Sequence, residues 1–575
     1  MPPPAIVTQW AASVTVANAH REYPRPQMVR EAWECLNGQW EFSIQDGVPP
    51  EGGTPARWLG RILVPFPVES ALSGVARRVG PDQRLVYRRA FTVPAGWAGR
   101  RVFLRFGAVD WEARVLVNGR EAGVHRGGYD AFSFDVTGYL DPGGVQELVV
   151  VVRDPTDTGV QPRGKQVLSP EGIFYTPVTG IWQSVWLEPV PAGGIDSLAF
   201  VPDPGRGVLR LTVVSGAGEI EAVARREGRE AGRIRGRAGV EMELPVPDPV
   251  LWTPENPCLY DLDVSLLRDG GIADHVTSYF GMRRIAVGAD EHGVMRLELN
   301  GASLFQKGPL DQGYWPDGIY TAPSDEALRR DVELMKELGF NMVRKHVKVE
   351  PDRWYYWCDR LGLLVWQDMP SGDAGVGPSD EGSGKPREIT RSPESVAIYE
   401  RELEAMLAGR GNHPSIVMWV PFNEGWGQFD TVRILRRAKA LDPSRLVDGA
   451  SGWNHFPAGD AIDAHAYPGP GMPPRVKERA MVLGEFGGLG LPVAGHRWAE
   501  AAWGYEGMPD REALVAKYEA LWAEVARLRD AEGLSAAVYT QLTDVETECN
   551  GLVTYDRAVV KIDPARHAAF LRALK

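Results

Sequence analysis

The sequence predicts a multidomain chain. An N-terminal jelly-roll β-sandwich is expected over residues 1–190, an immunoglobulin-like β-sandwich over 191–287 and a C-terminal (β/α)8 TIM barrel over 288–575. Three observations predict it. At 575 residues the chain is too long for one hydrophobic core, and roughly 150 residues per domain implies about three or four units. Up to residue 287, short period-2 runs are separated by Gly, Pro and Asn, with helical periodicity nearly absent. Beyond it, amphipathic helices alternate with short apolar runs, the pattern of parallel strands buried on both faces.

In the first region, RRAFTVPAGWAGRRVFLRFGAVDWEARVLVNGREAG alternates in period 2. Asn118-Gly119 marks a hairpin, because both residues tolerate positive φ. The second region continues with GVLRLTVVSG, IEAVARRE and YDLDVSLLRDG, punctuated by Pro245, Pro247, Pro249, Pro254 and Pro257. About 100 residues with this spacing fit a smaller sandwich. In the third region, SDEALRRDVELMKELG places Leu328, Val332, Met335 and Leu338 on one helical face. Ser324 suits its N-cap, Asp325 and Glu326 its first turn, and Gly339 its end. Further helices are expected from Pro351, and from Ser392-Pro393 to Gly409. Counting LELNGASLFQKG as the first strand, the runs FNMVRKHV, LLVWQDMP, IVMWVPFNEG, RLVDGAS, AIDAHAYP, MVLGEFGG and AAVYTQLTD complete eight. The irregular segment 371–391 has the length of a lid or a disordered loop.

Composition excludes several classes. Apolar content of 44% and charged content of 24% are ordinary for a soluble protein. A net charge of −13 offers no basic face for nucleic acid or an anionic membrane. No run approaches the ~18 apolar residues of a membrane span. The start MPPPAIVTQWAASV lacks a secretory pattern, so the expected location is cytoplasmic. Cys35, Cys258, Cys358 and Cys549 show no metal spacing and are expected to be free core thiols; no metal and no cofactor is expected. The expected partner is a carbohydrate substrate, and a homo-oligomer is compatible with the sequence. The 19 tryptophans suit stacking on sugar faces.

A barrel predicts that functional polar groups sit where strands end. Strand two holds Arg344 and His346, strand three ends near Trp366 and Asp368, and strand four ends at Asn423-Glu424 with Trp426 beyond. Strand six carries His465 and Tyr467, strand seven ends at Glu485, and strand eight offers Tyr539, Gln541 and Asp544. Glu424 and Glu485 would face each other across the mouth. Glycosidic-bond cleavage needs such a pair, one carboxyl to protonate the leaving oxygen and one to attack the anomeric carbon. A spacing of roughly 5–5.5 Å implies retention of configuration. The acid must keep its proton near neutral pH, so its pKa is expected to be raised by Trp419, Phe422 and Trp426 or by the charge of Glu485.

LNGQWEFS, PFPVESALSG, FGAVDWEARVLVNGREAGVHRGGYDAFSFDVT, GIWQSVWLE, LWTPENPCLYDLDV, YFGMRRIAV, FNEG and GEFGG resemble, in order, glycoside hydrolase family 2. The resemblance covers nearly the whole chain. It implies that Glu424 is the general acid/base and Glu485 the nucleophile, that Asn423 bonds the sugar's 2-hydroxyl, and that Tyr467 and Arg344 hold Glu485 ionised. Asp368, His346, His465 and Gln541 would contact the sugar or support those that do, and Trp366, Trp426 and Tyr539 would be walls. His125 to Tyr129 would narrow the pocket from the first sandwich. Two departures matter. RKHVKVEP replaces the family's Arg-x-x-His-Tyr, and CNGLVTYDRAVVKI stands where its β-glucuronidases carry Asn-x-Lys. The expected activity is therefore an exo-acting, retaining, β-galactosidase-like hydrolysis of a neutral sugar. A β-galactofuranosidase, an α-L-arabinofuranosidase and a non-catalytic carbohydrate-binding protein on the same scaffold are the alternatives.

Overall fold

The structure, a computed structural model, describes residues 6–47, 54–378 and 385–573. Residues 1–5 of the N-terminal stretch and 379–384 of the long segment lie outside them. In the first region a four-stranded and a six-stranded antiparallel sheet face each other. Alternate residues from both, among them Trp40, Leu85, Leu104, Val115, Val150 and Leu187, fill the space between. Asn118 and Gly119 form the expected two-residue turn, at φ 49° and 72°. Sheets of three and four strands follow in the second region, around Leu211, Ala222, Leu262 and Val276.

Eight parallel strands then form one sheet: β1 (Gln306–Asp311), β2 (Met342–Lys345), β3 (Leu364–Asp368), β4 (Ile416–Val420), β5 (Leu446–Val447), β6 (Ala461–Ala466), β7 (Ala480–Gly487) and β8 (Leu534–Thr540). A parallel bridge between Asp448 and Ala461 joins β5 to β6 and closes the barrel. Its first helix, Asp325–Glu337, is capped as expected, with the Ser324 side chain accepting from the Ala327 amide. The stretch LELNGASLFQKG behaves differently from expectation. Asn300 and Gly301, both at positive φ, turn it into a hairpin that joins an antiparallel sheet with Ile285–Ala289. The first barrel strand starts only after this turn, at Gln306.

Strand alternation sorts the barrel side chains. Leu310, Met342, Trp366, Met418, Val482 and Val538 fill the interior, whereas Val343, Val365, Trp419, Leu483 and Tyr539 pack outward beneath the helices. The first sandwich leans on the mouth. Thr176 N–H donates to Glu546 (2.8 Å), Arg163 N–H donates to the Ser371 carbonyl (2.9 Å), and Tyr175 hydroxyl donates to Glu548. The described parts of segment 371–391 are pinned there too, by bridges from Gly372 to Pro162 and from Gly375 to Trp426, and by Arg391 on the Gly427 carbonyl. No helix among the described residues is long and apolar enough to cross a membrane. All four cysteines are free, Cys358 and Cys549 buried and the other two half-buried.

Candidate active site

Beyond β4 the chain reverses sharply. Glu424 and Gly425 stand at φ 54° and 71°, and the Trp426 amide returns to the Asn423 carbonyl at 2.9 Å. A non-glycine residue held there costs about 1–3 kcal/mol, so the turn is maintained by its surroundings. Two bonds do this: Glu424 N–H donates to Ser451 O (2.9 Å) and Ser451 N–H donates to Phe422 O (3.0 Å). The result lifts the Glu424 side chain to the mouth.

Glu485, near the end of β7, comes to meet it. One carboxylate oxygen of each glutamate and one ring nitrogen of His465 all lie within 4.8 Å of one another. That is the short spacing of a double displacement, not the ~6.5–9.5 Å that leaves room for a water. His465 Nδ1 is 2.7 Å from Glu424 Oε1 and 3.6 Å from Glu485 Oε1. The three side chains have the donor chemistry for a divalent cation, but Arg344 already brings positive charge within 3.2 Å of Glu485.

Arg344, from β2 and wholly buried, organises the floor. Its Nε and one terminal nitrogen grip Asp368 at 3.0 and 2.9 Å, a two-pronged pairing that fixes the plane of the guanidinium. The same terminal nitrogen donates to Asn423 Oδ1 at 2.8 Å, and the other reaches Glu485 Oε1 at 3.2 Å. His346 Nδ1 lies 2.9 Å from Asp368. Tyr467 hydroxyl donates to Glu485 Oε2 at 2.5 Å and sits 2.7 Å from Thr540 Oγ1.

Burial opposes ionisation of Glu485, but the positive charges of His465, Arg344 and His346 outweigh it, even against Glu424, and its carboxyl falls below the ordinary glutamate value. Glu424 departs from expectation. Burial raises it, yet the hydrogen bond and charge of His465 bring it down to about 2. His465 moves the other way. Burial would neutralise it, but Glu485, Asp463 and Glu424 carry it up to about 10. The charge and hydrogen bond of the imidazole, and not the apolar neighbours, set the direction at Glu424.

Removing the Tyr467 hydroxyl tests the Glu485 environment. Tyr467→Phe is expected to lower kcat by roughly 10–100-fold, the worth of a hydrogen bond to a charged group. With one donor gone the Glu485 pKa rises, so the acid limb of the pH–rate profile should move to higher pH. An unmoved limb would disconnect Tyr467 from Glu485.

Several expected contacts are placed elsewhere. Trp366 belongs to the barrel filling below the mouth, bonded to Gln306 at 2.7 Å, because its position on β3 points inward one layer beneath Asp368. Tyr539 faces outward against Phe486 and Tyr518, since the inward-facing residue at the end of β8 is Thr540. Gln541 is fully buried against Asn550 (2.8 Å), and Asp544 pairs with Lys561 (2.7 Å). In the first sandwich, His125 stacks on Phe132 and Tyr129 is buried against Tyr320. Trp426 does stand at the mouth, half-buried, edge-on to Phe174 and beneath Arg163.

Sequence reasoning missed Lys165, Phe174 and Tyr175 from a first-sandwich loop, together with Ser451 and Tyr505. Tyr505 stacks on Tyr467 at 3.8 Å. None follows a barrel strand directly except Ser451, so the strand-end rule had no purchase on them. The dense aromatic run IFY was the available signal.

Profiles of glycosyl hydrolases family 2 match three parts of the chain: the sugar binding domain over residues 60–191, the family's middle domain over 208–283 and the TIM barrel domain over 321–467. The chain belongs to glycosyl hydrolases family 2. Glu424 lies inside the matched barrel span, whereas Glu485 lies beyond it and is placed by geometry. A β-galactosidase of Thermoanaerobacter pseudethanolicus is 28% identical over 392 residues, 64% of this chain and 49% of that protein. The chain thus spans about half the length of that relative. A β-glucuronidase of Paenibacillus borealis is 26% identical over 457 residues, 74% of each. In fold, this family 2 chain is similar to the β-glucuronidase of Ruminococcus gnavus, with a TM-score of 0.77 over 97% of this chain and all of that one at 20% identity.

Proposed function

We propose that the chain is an exo-acting retaining glycosidase that removes a terminal sugar by double displacement, with Glu485 as nucleophile and Glu424 as acid/base. The observation that carries this is the approach of the two carboxylates to within 4.8 Å, one held by Arg344 and Tyr467 and the other by His465. Glu485 attacks the anomeric carbon while Glu424 delivers a proton to the leaving oxygen; water then reverses the roles. Asn423, its carbonyl oxygen engaged by Arg344, has no acceptor for its amide nitrogen among the described residues and can donate to the sugar's 2-hydroxyl, a bond that strengthens in an oxocarbenium-like transition state. Trp426 and Tyr505 offer aromatic surface at the rim.

For the sugar, the missing Asn-x-Lys element supports a neutral glycoside of β-galactoside type. One observation favours a second reading, a β-glucuronide. Lys165, only 6% exposed, forms no ion pair among the described residues, and its charge is felt at Glu424, His346 and Glu548. A buried ammonium of this kind suits a sugar carboxylate. The relatives' names include both activities.

The test is a panel of nitrophenyl β-galactopyranoside, β-glucuronide, β-galactofuranoside and α-L-arabinofuranoside, read for wild type and Lys165→Met. Under the neutral reading the galactopyranoside is fastest and the variant changes its kcat/KM little. Under the second, the glucuronide is fastest and the variant loses roughly 10–100-fold on it. Fastest turnover of a furanoside would replace both readings of the sugar. Absence of turnover across the panel would favour a binding protein.

A further inference from the structure

Behind Glu424 a line of buried polar groups leads away from the substrate side. His465 Nε2 lies 2.7 Å from Ser451 Oγ, and Ser451 hydroxyl is also bonded to Asp463 Oδ2. The Asp463 carboxylate accepts a further bond from the Gly484 amide. The fully buried Asp448 is the next acidic group; neither of its oxygens has a hydrogen-bond partner among the described residues, and burial with the charge of Asp463 holds its carboxyl well above the usual aspartate value.

The donors fix where hydrogens must be. A serine hydroxyl has one proton, and a carboxylate without protons of its own takes it, so Ser451 Oγ accepts from His465 Nε2. Arg344 also approaches Nε2, at 3.2 Å, but the hydrogens of that guanidinium nitrogen have acceptors in Gly484 O and Glu485 Oε1, each at 3.2 Å. Nε2 therefore carries a hydrogen, and a second hydrogen bridges the 2.7 Å contact between Nδ1 and Glu424 Oε1, shared by the ring and the carboxylate. Of the charged groups facing the ring, Glu424, Glu485 and Asp463 favour its charged form, whereas Arg344 opposes it; His455 is a further titratable group whose charge and that of His465 disfavour each other, and Trp453 stands edge-on to the ring.

We propose that Glu424, His465, Ser451 and Asp463 form a hydrogen-bonded relay that keeps the catalytic proton on His465 between turnovers and lends it to Glu424 during each. The inference rests on the acid/base reading of Glu424. In the first half-reaction the proton passes from Nδ1 to Glu424 and on to the leaving oxygen, while the C1–O bond breaks and the Glu485–C1 bond forms. In the second, a water oxygen bonds C1, the Glu485–C1 bond breaks, and the water's proton returns through Glu424 to Nδ1. Charges and atoms balance to one hydrolysis. Entry of the sugar supplies the trigger, because expelling water removes solvation from the Glu424–His465 ion pair and favours its neutral form. The 2.7 Å contact of Glu424 with His465, together with the downward shift of the Glu424 carboxyl and the upward shift of the imidazole to about 10, accords with this resting state.

His465→Gln keeps a donor toward Glu424 but cannot store a proton. With a panel of aryl glycosides of the preferred sugar, kcat/KM for poor leaving groups such as methoxyphenyl should fall by roughly 100-fold or more, the range of general acid–base catalysis. Dinitrophenyl leaving groups, which need no proton, should lose only a few-fold. The basic limb of the pH profile should move to lower pH, because Glu424 alone releases its proton sooner than the pair does. Equal losses on both leaving groups with an unmoved basic limb would overturn the relay. Ser451→Ala supplies the same test if His465→Gln does not fold: a smaller loss with the basic limb again lowered supports the relay, and an unmoved limb overturns it. Glu424→Gln separates the two levels. If it lacks a leaving-group-dependent loss, the acid/base reading itself has failed; if it shows that loss and His465→Gln does not, only the relay has.

Discussion

Glu485→Gln is expected to lower turnover of every glycoside the wild type accepts by on the order of 10⁴–10⁶-fold, the scale on which a lost nucleophile acts. The amide has the shape of the carboxylate and can still accept from Tyr467, so the fold should survive and bound sugar should remain measurable. What disappears is a negative oxygen within attacking distance of the anomeric carbon. The check is steady-state kinetics on a nitrophenyl substrate, with calorimetric binding of the free sugar as the fold control. A variant within tenfold of wild type would remove Glu485 from the chemistry. Glu485→Gly with added azide sharpens the result: a glycosyl azide of inverted configuration should form, since azide would fill the space of the lost carboxylate.

Arg344→Met has the second large effect, and it acts first on stability. The guanidinium is entirely buried and paired with Asp368 and Glu485, which are also buried. Breaking such a pair from one side costs about 3–5 kcal/mol, because the surviving carboxylates stay desolvated. The barrel's thermal midpoint should drop on the order of 10 °C. The pH dependence carries a definite sign. Burial works against the Asp368 charge, but Arg344 and His346 hold its carboxyl below the usual aspartate value. Its contribution to stability is therefore complete above the unfolded value of about 4 and is lost as pH falls through the lower folded value. Without Arg344 that advantage disappears, so the deficit of the variant should be widest at neutral pH and shrink in acid. Thermal melts from neutral pH down to about pH 2 would read it, and a deficit independent of pH across that range would reject the electrostatic account.

Much of this was legible in the residues. Period-2 stretches broken by Asn-Gly gave the sandwiches, and apolar runs ending in Asp368, Asn423-Glu424 and Glu485 gave the barrel and its mouth. Asn300-Gly301 carries the same turn signal as Asn118-Gly119, and that signal marks the start of β1 after the hairpin. Periodicity cannot decide which of two adjacent strand residues faces inward at the last layer. Thr540, and not the expected Tyr539, faces the mouth, and Trp366 fills the barrel below it. Pairing across elements was beyond reach for a different reason. The protonation of Glu424 depends on His465, forty-one positions later, and on Ser451 between them, so only proximity in space reveals it.

The loop bearing Lys165, Phe174 and Tyr175 belongs to a different domain from the carboxylates it overlooks. Under the glucuronide reading, a change in that sandwich loop would alter which glycosides are accepted while leaving the carboxylate pair at the strand ends untouched.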